Sequence, residues 1–271
     1  MAINRAQLAK ELEPGLNALF GLEYARYENE AAQIFDQESS DRAFEEEVML
    51  VGFGQANVKA EGSAVGFDTA SESFTARYTH DTIALAFALT EEAVEDNLYD
   101  SLSARYTKAL ARSMAYTKQV RGANVLNNAF TVTGGDGVTL ANTAHPTALG
   151  GTFSNRSATD ADLNETSLEQ AMIDIAGFID ERGLKIAMKG QKLIIPVNLQ
   201  FVADRILEST LRVGTADNDI NALKNMGMLP GGYTVNHYLT DTDAFFIKTD
   251  CPNGFKHFVR AALATGMEGD F

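Results

Sequence analysis

The chain has 271 residues, 45% of them hydrophobic and 22% charged, enough to bury a sizeable core in one large domain or two closely joined ones. Its formal net charge of −15 is the reverse of the basic field that drives general nucleic-acid binding through counterion release, and it keeps a surface soluble. Lone Cys251 excludes an intrachain disulfide and a thiolate zinc cluster; His80, His145, His237 and His257 never fall one helical turn apart; no apolar run of about 18 residues reads as a membrane span.

Met1 to Lys10 lacks the basic-then-apolar layout of a secretory signal, so the protein is expected to stay where it is made. Leu8, Leu12, Leu16 and Leu19/Phe20 recur every three or four residues and predict an amphipathic helix. Pro14-Gly15 is expected to interrupt it, leaving a loosely attached arm of one or two short helices; the pattern alone equally fits an ordinary N-terminal helix on a domain surface. From Val48 to His80 the chain is rich in Gly and small side chains. Residues 51–59 and 74–79 read as the two sides of a long hairpin that turns near Glu61-Gly62-Ser63. Such a ribbon has too few large apolar residues for a core of its own and must either be disordered or lie on a neighbouring subunit.

Residues 82–89, Thr-Ile-Ala-Leu-Ala-Phe-Ala-Leu, read as a buried strand. Thr90 then suits a helix N-cap, with Glu91 and Glu92 at the positive end of the helix. No proline follows up to Asn127, and Val94, Leu98, Leu102, Tyr106, Leu110 and Met114 step by four along one face. One helix of that length spans roughly 50 Å at 1.5 Å per residue. Residues 130–164 carry Gly134-Gly135-Asp136-Gly137 and Leu149-Gly150-Gly151-Thr152 and predict a long surface loop with short strands.

A helix is expected from Leu163-Asn164-Glu165-Thr166 to about Arg182, burying Leu168, Met172, Ile175, Ala176 and Ile179. Lys192 to Pro196 is a short buried strand, followed by a helix from Asn198 to about Leu211. Residues 233–238 and 244–248 make two more strands, and 255–264 a last extended segment.

Tests for chemistry come out against catalysis. There is no G-x-S-x-G elbow, no phosphate loop ending in Gly-Lys-Ser/Thr and no dinucleotide fingerprint. Asp160-Ala161-Asp162-Leu163-Asn164 opens like a calcium loop, but Glu165 stands where glycine is needed and Ala171 where a bidentate glutamate is needed. The segment reads better as the cap of the next helix. Asn155-Arg156-Ser157 and Asn164-Glu165-Thr166 match the glycosylation sequon by chance, and Asp217-Asn218-Asp219 reads as a solvated loop. No catalytic residue, metal ligand or cofactor site is assigned.

The order of parts carries more than any motif: arm, Gly-rich hairpin, strand, one very long helix, then a compact α/β region. With residues 75–81 (Thr-Ala-Arg-Tyr-Thr-His-Asp), 89–99, Leu193-Ile194-Ile195-Pro196, 227–233 and 242–247, it resembles the tailed-phage major capsid proteins of the Hong Kong 97 type. It looks most like the major head subunits related to the Mu group. The resemblance implies an α+β fold with residues 1–44 as N-terminal arm and 45–81 as extended loop over the adjacent subunit. It further implies a peripheral domain at 82–185 with a spine helix at about 91–127, an axial domain at 186–250, and a return to the peripheral domain at 251–271. That return looks incomplete at Gly269-Asp270-Phe271.

The function so implied is a structural subunit of an icosahedral head, self-assembling into hexamers and pentamers around double-stranded DNA. Its partners would be copies of itself, a scaffolding protein, a portal and decoration proteins, with no membrane and no sequence-specific DNA contact. It would be assembled in the host cytoplasm and reside in the virion. Phe53, Lys59, Phe67, Phe74, Arg77 and Tyr78 of the extended loop are the candidate inter-subunit contacts. Some relatives cross-link a loop lysine to a neighbour's asparagine; Lys59 lies in the right loop, but a plain exposed lysine is the better reading. The alternatives are an encapsulin-like compartment shell, or an α/β enzyme with a mobile hairpin lid, which would be a small oligomer with a pocket of convergent titratable groups.

Overall fold

A computed structural model of the chain describes residues 5–88, 99–212 and 219–266. The chain starts with α1 (Arg5–Ala25), the single turn α2 (Ala31–Ile34) and β1 (Asp36–Ser39). The hairpin strands β2 (Phe44–Val51) and β3 (Ser71–Thr79) come next, then the long helix α3 (Tyr99–Asn127). Two-residue strands β4 (His145–Pro146) and β5 (Thr152–Phe153) pair within the following loop. The remainder is α4 (Glu165–Ala176), β6 (Gly190–Pro196), α5 (Gln200–Glu208), α6 (Ala222–Met226), β7 (Tyr233–Asn236), β8 (Phe246–Thr249) and β9 (Lys256–Val259).

β6 organises the core because its side chains are apolar on both faces. Leu193, Ile194 and Ile195 are all fully buried. Strand alternation sends Leu193 and Ile195 into a cluster with Leu168, Met172 and Ile175 of α4, Ala203, Ile206 and Leu207 of α5, and Leu223 of α6. Ile194 points the other way, against Ala31, Ile34, Phe35 and Leu126. β7 joins β6 in parallel and β8 antiparallel, so the centre strand has no free edge. At full burial each such aliphatic side chain contributes about 1.5–3 kcal/mol. The strand expected at 192–196 runs over 190–196, those expected at 233–238 and 244–248 run over 233–236 and 246–249, and the extended segment 255–264 contains a strand at 256–259.

α4 starts as expected and stops early. Asn164 accepts from the Ser167 N–H at 2.8 Å while Ser167 Oγ accepts from the Asn164 N–H at 3.0 Å, a reciprocal cap. The helix was expected to reach about Arg182 but ends at Ala176. Asp180 Oδ1 accepts from the Arg182 and Leu184 N–H groups at 2.9 and 2.7 Å and turns the chain back, so Ala176 and Ile179 are exposed rather than buried. Likewise, the helix expected from Asn198 to about Leu211 is α5, ending at Glu208 after a single 3₁₀ turn at Val197–Leu199.

Three other expectations are corrected. Pro14 does not break the first helix: α1 is continuous through it. An interior proline costs about 3 kcal/mol; the helix nonetheless packs along α3, and its Phe20 is 4% exposed. The segment 82–88 is neither a strand nor buried; it has no ladder partner among the described residues, and Leu85 and Phe87 are 54% and 40% exposed. Apolar composition makes a segment able to pair but does not by itself make it a strand.

The third correction concerns the buried face of α3. Among the described residues Ser103, Thr107, Ala111, Ala115, Gln119 and Ala123 are buried, one position on from the expected stripe, and Leu126 is buried near the end of the helix, whereas Tyr106 is 47% exposed. Small side chains let another helix come close. A Cβ on Gly122 would lie 2.9 Å from the Ala31 Cβ, so only glycine fits there. Gln119 completes the joint by accepting the Ala31 N–H at 3.0 Å and donating to Asn29 Oδ1 at 3.1 Å. Thr90, Glu91, Glu92, Val94, Leu98, Asp217, Asn218 and the Gly269–Phe271 end lie outside the described residues.

Candidate assembly surfaces

The hairpin of β2 and β3 is tied to the body at its base. β1 pairs in parallel with β9, which places Lys256 under the hairpin. Its ammonium bonds the Glu47 carboxylate and lies 3.5 Å from Glu38 Oε1. The Glu47 bond, and then the attraction of Glu47 and Glu38, raise the lysine pKa above its ordinary value. Tyr78 packs at a tilt on Phe258 with ring centroids 5.3 Å apart and donates to Glu47 Oε2 at 3.3 Å. Burial, followed by the Glu47 charge, raises its phenol. Midway along, the Gly134–Gly137 turn closes through Gly134 N–H to Val138 O at 2.7 Å and leans on the ribbon. A Cβ on Gly135 would sit 3.0 Å from the Thr75 carbonyl oxygen.

Beyond Val51 and Ser71 the ladder stops. The chain was expected to stay ribbon-like through residues 51–59, but 52–70 form no strand. At this neck Arg182 Nε donates to the Gly52 carbonyl at 3.0 Å, and a terminal nitrogen of the same guanidinium donates to the Thr69 carbonyl. Asp68 lies 3.8 Å away and accepts the Gly54 and Thr69 N–H groups at 2.8 Å each. Those two amide bonds, more than Arg182, hold its carboxyl below the usual range. Past the neck the chain turns at Glu61-Gly62, with Ser63 donating both N–H and Oγ–H to the Ala60 carbonyl at 3.2 and 2.7 Å.

The six residues singled out from the sequence divide by position. Phe53 and Phe67 lie past the neck, 63% and 99% exposed, and Lys59 near the tip is exposed too. Neighbouring Val58 and Val65 are equally bare, at 101% and 65%. Phe74, Arg77 and Tyr78 lie on β3. Arg77 Nε donates to Glu46 Oε1 at 2.7 Å and its guanidinium covers the Phe44 ring at 4.3 Å. Tyr78 serves the base, and Phe74 is half-buried. Arg182 and Asp68 were missed by sequence reasoning, because nothing local marks an arginine that finds its partners more than a hundred positions away.

Elsewhere, a groove of about 740 Å³ opens between α1 and α3, lined by Glu23, Tyr27, Lys108, Arg112, Tyr116 and Tyr238. Among the described residues no group of three His, Cys, Asp or Glu side chains is placed to hold a metal ion, and no helix is long and apolar enough to cross a membrane.

Residues 73–269, from β3 through the body, match the family model described as phage capsid protein. The chain belongs to the phage capsid protein family. It is a shell subunit of the phage head and a component of the virion. Solved capsids share its fold at low sequence identity. The procapsid of bacteriophage JBD30 aligns over 88% of this chain and 100% of that one, with 14% identity and a TM-score of 0.59. The capsid of the same phage aligns over 76% and 89%, with 10% identity and a TM-score of 0.56. Its capsid decorated with minor capsid protein trimers gives 77% and 90%, 12% identity and 0.56. No curated protein matches the sequence. The capsid subunit is therefore an α+β protein of the tailed-phage capsid type, as its order of parts led one to expect.

Proposed function

We propose that the capsid subunit forms hexamers and pentamers of an icosahedral shell around double-stranded DNA, assembled in the host cytoplasm. Residues 52–70 lie across a neighbouring copy in this reading. Residues 1–44 act as the arm, the region around α3 forms the peripheral part of each capsomer, and the body around β6 meets its copies at the capsomer centre. A scaffolding protein, a portal and decoration proteins complete the assembly, and the subunit itself does no catalysis. Likeness to the Mu-related head subunits belongs to the same proposal.

The observation that carries this reading is surface area. A compact monomer of 29.3 kDa exposes about 11,500 Å², whereas this chain exposes 18356 Å². The excess includes large apolar side chains, Val58, Phe67, Leu50, Phe53 and Val65 among them. A shape that hides this little of itself gains its buried area from other copies. Repeated heterologous contacts that close on themselves then give a shell.

The test is a loop replacement drawn inside the neck. Replacing residues 55–67 with a short Gly-Ser linker leaves Gly54, Asp68 and both strands in place. The variant should fold with the unaltered far-ultraviolet spectrum and form no closed shells; normal shells from it would remove the loop from the account.

A further inference from the structure

The hairpin is braced at three levels. Lys256 and Phe258 hold its base, Gly135 touches the middle of β3, and Arg182 grips the point where the ladder ends. The base brace reaches β2 through Glu47 and β3 through Tyr78 with two side chains, whereas at the neck one side chain holds both sides of the ribbon. The Gly52 carbonyl belongs to the outgoing side and the Thr69 carbonyl to the returning side, and one guanidinium bonds both. Arg182 is a well-placed fixture, with its side chain 17% exposed. The turn that carries it is locked by Asp180, which accepts the N–H of Arg182 itself. Asp68 closes the neck from the other side by tying the Gly54 N–H on the outgoing side to its own position on the returning side.

We infer that Arg182 is a positioning residue for assembly: it pins both sides of the loop at its neck and so sets the direction in which residues 52–70 leave the body. Past that point the loop makes only local bonds among the described residues and Val58 is fully bare, so the angle at the neck decides where the tip arrives. A small rotation there becomes a large displacement at the tip, and a tip aimed wrongly misses its site on the next copy. The planar guanidinium presents Nε and Nη donors in a fixed fork; a lysine offers one charged point and does not hold two carbonyls at a set spacing.

The inference rests on the proposed role of residues 52–70, and the two fail in different experiments. Exposed Cys251 is the sole native cysteine, so a Val58→Cys substitution creates a labelled pair between loop tip and body. Electron–electron distance measurements on the unassembled subunit then read the loop direction. With Arg182 intact the distribution should be narrow; Arg182→Ala should make it roughly twice as wide or shift its centre, with Arg182→Lys between the two. Asp68→Ala should widen it as well, without touching the body. Should Arg182→Ala melt below the unsubstituted chain, the Arg182→Lys and Asp68→Ala variants carry the comparison. Electron microscopy of the same variants should show uniform shells giving way to open or irregular ones. Distributions of equal width and centre in all four proteins would overturn the role of Arg182. Normal shells from the loop replacement would instead overturn the role of the loop.

Discussion

Lys256 is the side chain on which the hairpin base turns. It is 9% exposed, bonded to Glu47 on β2 and close to Glu38 on β1, so it joins the hairpin to the β1–β9 pair. Its raised pKa means that the folded state holds this proton more tightly than the unfolded chain does. Stability from the pair is therefore fully present below the unfolded lysine value of about 10.4 and is lost as pH rises through the higher folded value. Tyr78 acts in the same direction: its phenol is held neutral by burial and by Glu47, and that contribution fades as pH rises above about 10. Urea unfolding between about pH 9 and 11.5 should show stability falling steeply in the unsubstituted subunit. The fall should be shallower in Lys256→Met, and an identical slope in both would disprove the pairing. The sequence could say that Tyr78 and Arg77 belong to a ribbon rich in assembly contacts. It could not say that both are used within the subunit: Arg77 bonds Glu46 and covers Phe44 across the hairpin, and Tyr78 meets Phe258 only because β9 arrives beneath it from the far end of the chain.

At the scale of elements, α3 shows what periodicity does and does not reveal. Helical spacing correctly groups Tyr106, Leu110 and Met114 on one stripe and Thr107, Ala111 and Ala115 on the next. Size suggested that the large stripe is covered. The structure covers the small one, because a close joint with α2 and the packing of α1 call for Ala, Ser and Gly. The joint is testable at Gly122. Alanine there should raise helix propensity by about 1 kcal/mol, yet its Cβ would meet the Ala31 methyl at 2.9 Å. Overpacking of this kind costs about 1–3 kcal/mol, so Gly122→Ala should lower the melting temperature, and Ala31→Gly in the same chain should restore it. A stabilised single mutant would show that the two helices are not held this closely. The legible parts of the fold share a feature: the 192–196 strand and the Asn164 cap are decided by neighbours in sequence. The misread parts are the 82–88 segment, the run of α1 past Pro14 and the end of α4, the last of which is set by the turn that Asp180 closes onto Arg182 and Leu184.

The whole molecule is an acidic subunit with more surface than its mass requires. Its charge of −15 is repeated in every copy, so like-charge repulsion opposes the apolar contacts that favour the shell. Screening shortens that repulsion from a reach of about 30 Å at 0.01 M salt to about 10 Å at 0.1 M. Shell yield should therefore rise with ionic strength, whereas a contact built mainly on ion pairs between copies would give the opposite trend. Negative-stain electron microscopy of the purified protein, with light scattering alongside, tests the central claim most directly. Prepared across that range of salt, and with and without its scaffolding partner, the subunit should give uniform closed particles or six-fold rings. A monodisperse monomer or dimer under every condition would contradict the account.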